Sequence, residues 1–245
     1  NTTICINRWS ELPMLRRIPL GNMMNLRDLG GYPLPGGGHT AWGRLLRGDN
    51  PLGLSEADAG WLLERGVRTV IDLRSDGELE RRPDELSRIP GFAYHHVSMI
   101  GGEKLPNEES DIGRGYFAML ERRENPARVL RLIAQAEGGV LFHCTAGKDR
   151  TGCIAALLLS LAGVERSDVL ADYQMTELYI RETVRRIRRE HPEAAAFIGR
   201  SRPEYLEECL TLLETRHGTV LEYLRWLDLT DGELARLKEK LTLGA

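Results

Sequence analysis

Val140-Leu141-Phe142-His143-Cys144-Thr145-Ala146-Gly147-Lys148-Asp149-Arg150-Thr151-Gly152 reads as strand, loop and helix in succession. Val140 to Phe142 is a short apolar run after Gly138-Gly139, as a buried strand requires, and an apolar helix from about Thr151 to Leu161 follows. A loop that opens into a helix collects backbone N–H groups without intrahelical partners. Those donors and the helix dipole together favour an anion at one spot. Gly147 allows a turn that a side chain would resist.

Cys144 and Arg150 flank this loop with five residues between them. The field that attracts an anion also favours the ionised, nucleophilic form of a thiol. A guanidinium can grip two phosphate oxygens at once. Thr145, Ala146, Gly147, Lys148, Asp149 and Arg150 are therefore the candidate phosphate cradle, with Cys144 as nucleophile. The Thr151 hydroxyl is placed to donate to the sulfur. Of the four cysteines, Cys5, Cys144, Cys153 and Cys209, only Cys144 has an arginine at this spacing. The plainer reading is a buried cysteine in a tight turn. The strand before it and the helix after it favour the chemical one.

Working outward, strands and helices alternate over the first two-thirds of the chain, which predicts an α/β layered fold. Asn25 to Tyr32, with the prolines and glycines beyond, predicts a hairpin leading to Arg44-Leu45-Leu46-Arg47. Ser55 and Asp58 cap a helix that Gly66 ends. Val67 to Leu73 and Tyr94 to Met99 read as strands, and Gly101 to Asp111 as a polar loop. Helices are expected at Tyr116 to Leu120, Val129 to Ala136, Ser167 to Arg189, Pro203 to Thr215, Val220 to Trp226 and Asp231 to Lys240. With 245 residues, 42% of them hydrophobic, residues 1–245 form one domain in this reading. A core sheet and signature loop span about 20–165, and a helical part about 166–245.

The formal charge of -3 gives no sign of a nucleic-acid partner. Scattered cysteines without zinc spacing point to a reducing compartment, most simply the cytoplasm, with secretion lacking a recognisable signal left open. The longest apolar run, Ile154 to Ala162, is too short to span a bilayer, and no integral membrane association is expected. A nucleotide-binding loop would need Gly at Phe142 and Ser or Thr at Asp149. A cysteine protease has no local histidine base, since His143 and Cys144 would point to opposite faces of a strand.

The segment His143 to Gly152 resembles the signature loop of the protein tyrosine phosphatase superfamily. Its Ala-Gly-Lys-Asp-Arg-Thr-Gly ending is similar to the bacterial tyrosine, dual-specificity and lipid phosphatase branch. Asn25 to Tyr32, Ile71-Asp72-Leu73-Arg74, Asp172-Tyr173 and the tail from Val220 to Leu241 agree, so the resemblance covers about residues 20 to 243. It implies a central sheet of about four to five strands flanked by helices, with a helical C-terminal extension. It also implies phosphomonoester hydrolysis through a phosphocysteine, with no cofactor and no metal. The expected partners are a phosphorylated protein or a phospholipid as substrate and inorganic phosphate as product. Protein tyrosine phosphatase is the first reading. A phosphoinositide or inositol-phosphate phosphatase and a phosphate-binding module without turnover are the alternatives.

The general acid is open at this level. Many relatives place an aspartate after a tryptophan and proline on a separate loop, and no such triplet occurs here. Asp149 is the first candidate, Asp72 the second and Asp111 the third. The rival role for Asp149 is an ion pair with Lys148 or Arg27. Asp72 and Arg74 can equally pair beneath the loop. Lys148 either adds positive potential for a multiply phosphorylated substrate or only tunes the loop's field. His143 and Arg74 are read as supports, as are Arg27 and Asp28. Cys153 is read as a packed core thiol, and the arginines from Arg181 to Arg189 as a solvated helix face.

Overall fold

Residues 16–100 and 108–242 are described by the computed structural model of the chain. Arg27–Asp28 (β1) and Leu45–Gly48 (β2) pair antiparallel across the glycine- and proline-rich turn. Val67–Asp72 (β3), Ala93–His96 (β4) and Gly139–His143 (β5) complete a five-stranded sheet of order β1-β2-β5-β3-β4. The β2–β5, β5–β3 and β3–β4 pairings are parallel. Each therefore needs a crossover, and helices supply them.

Side chains alternate between the two faces of the sheet, as the period of two demands. Leu45, Ile71, Val140 and Phe142 enter the larger core. Leu46, Val70 and Leu141 enter a smaller one on the opposite face, beneath Ala59 and Leu62 of Glu56–Glu64 (α1). The expected capping box of α1 is present, with Ser55 and Asp58 each bonding the other's backbone N–H.

The α/β expectation holds, and the differences are local. A short helix, Asp76–Arg81 (α2), follows β3 where the sequence reading placed nothing. Ile112–Leu120 (α3) and Glu124–Gln135 (α4) precede β5, and Asp149–Ala162 (α5) follows it. Nearly every residue of α5 from Thr151 to Leu161 is buried, as befits a helix apolar on all sides. The single helix expected over Ser167 to Arg189 is two, Arg166–Tyr179 (α6) and Arg181–Glu190 (α7). Ile180 leaves helical geometry between them (φ -93°, ψ 5°) as its side chain is buried, and no glycine or proline announces the break. Pro203–His217 (α8), Val220–Trp226 (α9) and Asp231–Thr242 (α10) complete the helical tail. Cys5, Lys104 and most of the expected polar loop lie outside the described residues. Among the described residues no helix is long and apolar enough to cross a membrane.

Register fixes where the site lies. His143 is opposite Gly48 of β2 and Asp72 of β3, so the carboxyl ends of three parallel strands are level. The chain leaves β5 at Cys144 between them. The crevice beyond the carboxyl ends of parallel strands is where such sheets receive ligands.

Candidate active site

Between β5 and α5 the chain must turn within Cys144 to Lys148. Gly147 makes the turn at φ +65°, and a Cβ there would stand 2.5 Å from the Gly48 carbonyl carbon and oxygen. The loop carbonyls are bonded from outside. Asn50 N–H reaches the Thr145 oxygen at 3.3 Å, and Asn25 Nδ2 donates to the Ala146 oxygen at 2.8 Å. Arg47 Nη2 donates to the Gly147 oxygen at 2.7 Å. With its carbonyls engaged by groups outside it, the loop has its backbone amides left as candidate donors to an anion. No side chain caps α5, so its first N–H groups add to the same cluster of free donors.

The groups behind these donors form a buried network. Arg27 Nε bonds Asp172 at 2.9 Å, and Arg47 bonds the other oxygen of the same carboxylate. Arg27 also bonds Asn25 Oδ1, which orients the amide that holds the loop. Tyr32 donates to Asp172 at 3.0 Å. Burial alone would raise the Asp172 carboxyl, but the two guanidiniums outweigh it and hold the group ionised far below its usual range. Two buried arginines thus share one aspartate behind the loop.

Arg150 lies one residue into α5, and its guanidinium is braced by Glu78 of α2. Nη1 donates to Oε2 at 2.6 Å and Nη2 to Oε1 at 2.9 Å, a fork-to-fork pair. Thr145 Oγ1 also donates to Glu78. Burial would lower the hold of Arg150 on its proton, but Cys144 and Glu78 outweigh it and strengthen that hold. Glu78 is in turn kept ionised against its burial by Arg150, Thr145 and the Ser75 N–H. Cys144 is buried at the bottom of the loop, and Cys144, Cys153 and Cys209 are all free thiols. The Thr151 hydroxyl is buried without a hydrogen-bond partner, so the expected bond to the Cys144 sulfur is not formed.

The candidate acids separate cleanly. Asp72 is fully buried, forked onto Arg74 with 2.6 Å between Oδ2 and Nη2, and receives the Tyr94 hydroxyl at 3.0 Å. Burial would raise its carboxyl, but the Arg74 bonds hold it below the ordinary value. Asp72 and Arg74 thus form the pair beneath the loop. Asp111 lies at the start of α3, 3.6 Å from exposed Arg114. Asp149 is in the loop mouth with its side chain 42% exposed, 2.8 Å from Lys148 Nζ, and it accepts the Tyr116 hydroxyl. Its pairing is with Lys148, while Arg27 is spent on Asp172. Partial desolvation would raise the Asp149 carboxyl, but Lys148 and then Tyr116 outweigh it and leave it low. Lys148 itself is buried and also bonds the Arg200 carbonyl at 2.9 Å, which ties the α7–α8 connection to the loop.

His143 is fully buried with Nε2 2.9 Å from Asp84 Oδ2, a supporting position below the loop. Asp72, Asp84 and His143 are close enough to offer a metal three ligand atoms. Arg74 already stands among them, 2.6 Å from Asp72 and 3.9 Å from Asp84, so the cluster's negative charge is met by a guanidinium.

A model of the tyrosine phosphatase family matches residues 18–243. The chain belongs to this family. A tyrosine-protein phosphatase of Nostoc commune is 32% identical over 77% of the chain and 70% of its own length. A Cupriavidus necator protein with a provisional tyrosine-protein phosphatase name is 34% identical over 87% of the chain and 84% of its own length. The triple specificity protein phosphatase PtpB of Mycobacterium tuberculosis is 27% identical over 80% of the chain and 90% of its own length.

As a member of the tyrosine phosphatase family the chain is a hydrolase, and its site contains two residues that sequence reasoning passed over. Glu78 had a legible signal: Ser75-Asp76-Gly77-Glu78 is a capping box, present in the structure, and it starts a helix. Arg47 had none, because it reads as one more residue of a strand.

Proposed function

We propose that the chain hydrolyses phosphomonoesters, phosphotyrosine in proteins foremost, through a phosphocysteine on Cys144. The Cys144 thiolate forms the S–P bond as the P–O bond to the leaving group breaks, and the Asp149 carboxyl gives its proton to the departing oxygen. Water then forms a new P–O bond as the S–P bond breaks. It passes a proton to the Asp149 carboxylate and releases inorganic phosphate. Arg150 and the loop amides stabilise the equatorial oxygens in both steps. No step calls on a metal or cofactor.

The observation that carries this reading is the loop with its carbonyls bonded outward, Cys144 at its foot and Arg150 braced by Glu78. A binding module without turnover would have no need of the thiol at the foot of the loop. Asp149 is favoured as acid because it is in the mouth, while Asp72 is buried under Arg74. Lys148 and Tyr116 keep the carboxylate ionised, the form that can accept the water's proton in the second step. An incoming phosphoryl dianion adds negative charge beside it and favours the protonated form for the first. Cys144 must stay reduced, which fits a reducing compartment such as the cytoplasm.

Wider specificity, for phosphoserine, phosphothreonine or phosphoinositides, has the name of the Mycobacterium tuberculosis relative in its favour. Lys148 lends it little, being buried and engaged by Asp149 and the Arg200 carbonyl. The test is hydrolysis by the purified chain, with chelator present, of phosphotyrosine peptide, phosphoserine peptide and phosphoinositide, with Cys144→Ser alongside. Turnover highest on phosphotyrosine and abolished in Cys144→Ser supports the reading. Equal rates for the variant and the native chain would remove it.

A further inference from the structure

Tyr116, on α3, is nearly fully buried, yet its hydroxyl reaches the loop mouth and donates to Asp149 Oδ1. The same hydroxyl lies 2.7 Å from the Tyr173 hydroxyl of α6, and the two rings meet edge to face at 6.1 Å. Lys148 Nζ stands 3.5 Å from it. Two helices distant in sequence thus meet at this carboxylate, α3 through the Tyr116 phenol that bonds it and α6 through the Tyr173 phenol that bonds Tyr116. Burial and the Asp149 charge both raise the two phenols, Tyr116 and Tyr173, so both remain protonated. With one hydrogen each, Tyr173 donates to Tyr116 and Tyr116 to Asp149.

We propose that Tyr116 is a positioning residue for the phosphatase reaction, fixing the Asp149 carboxyl in the loop mouth and setting how readily it takes and gives its proton, with Tyr173 holding Tyr116 in place. This rests on the reading of Asp149 as acid and base. The groups facing Asp149 are Tyr116 from α3, Tyr173 from α6, and Lys148, Arg150 and Cys153 from its own segment. Of these, Arg150 is a guanidinium whose hold on its proton is strengthened, so it stays charged through the pH range of the assay. Tyr116 is the member whose removal takes away a hydrogen bond without changing the charge.

A donor to the ionised carboxylate favours that form, so removing it makes the proton harder to lose. In Tyr116→Phe the alkaline limb of the pH–rate profile, where the acid form runs out, moves to higher pH by about one pH unit. Tyr173→Phe moves it the same way by less. Hydrolysis of phenyl phosphate and p-nitrophenyl phosphate by native chain, Tyr116→Phe, Asp149→Asn and the double variant tests this. Asp149→Asn should slow phenyl phosphate, whose leaving oxygen needs the proton, far more than p-nitrophenyl phosphate. Adding Tyr116→Phe to Asp149→Asn should change nothing further. If Asp149→Asn slows both esters equally, the acid assignment fails. If it discriminates but Tyr116→Phe leaves the limb in place, or adds its full effect in the double variant, the role of Tyr116 fails alone.

Discussion

Replacing Glu78 with glutamine separates helix capping from the bracing of Arg150. Glutamine at the third helical position can still bond the Ser75 N–H, so α2 keeps its start. It cannot offer two acceptors to the guanidinium, because one oxygen becomes an NH₂ group that points hydrogens at Arg150. The pair is 19% and 25% exposed on its two sides, sheltered enough for its bonds to count. A hydrogen bond to a charged group contributes about 1.5–3 kcal/mol. At about 1.4 kcal/mol per decade, loss of one such bond in the aligned state lowers kcat/KM by about 10- to 100-fold. Arg150 grips the phosphoryl group before and during the reaction, so KM and the inhibition constant for inorganic phosphate should rise as kcat falls. The assay is aryl phosphate hydrolysis at a temperature where circular dichroism shows the variant fully folded, with phosphate inhibition measured in parallel. A folded Glu78→Gln protein with kcat/KM within about twofold of native, where at least tenfold is expected, would refute the argument that Glu78 orients Arg150.

Asp172→Asn leaves Arg27 and Arg47 buried without a counter-charge, and urea unfolding should show a loss of about 3–5 kcal/mol; a change below about 1 kcal/mol would contradict the network. Gly147→Ala puts a Cβ 2.5 Å from the Gly48 carbonyl at a φ of +65°, so the loop must shift, and phosphate affinity and turnover should fall together in steady-state kinetics. The buried Asp28 carboxyl is raised by burial to about 6, against the Gly43 and Gly30 N–H bonds it accepts. With the folded value above the unfolded one, its stabilisation is complete below about pH 4 and is lost as pH rises through about 6, a swing of about 3 kcal/mol. Urea titrations across that window should therefore show a downward slope that Asp28→Asn removes.

The strand–loop–helix passage around Cys144 was legible because its signals are local. Gly138-Gly139 ends one element, three apolar residues make a buried strand, and Gly147 marks the turn. The capping box at Ser55 and the hairpin before Leu45 were legible for the same reason. What was not legible depends on contacts distant in sequence. The break at Ile180 carries no glycine or proline, and only packing places it. Asp149 was open between acid and ion-pair partner, and the structure brings Tyr116 to it from 33 positions away. Arg47 reaches Gly147 from 100 positions away. Lys148 is open in the sequence between added potential for the substrate and tuning of the loop's field, and folding turns it to the Arg200 carbonyl, which lies 52 positions on. Thr151 was expected to meet the sulfur and instead has no partner.

The covalent step can be observed directly. Native chain turning over radiolabelled p-nitrophenyl phosphate, quenched in acid within milliseconds and digested, should yield one labelled peptide, with the phosphoryl group on the sulfur of Cys144. Label on another residue, or none while product forms at full rate, would contradict the account.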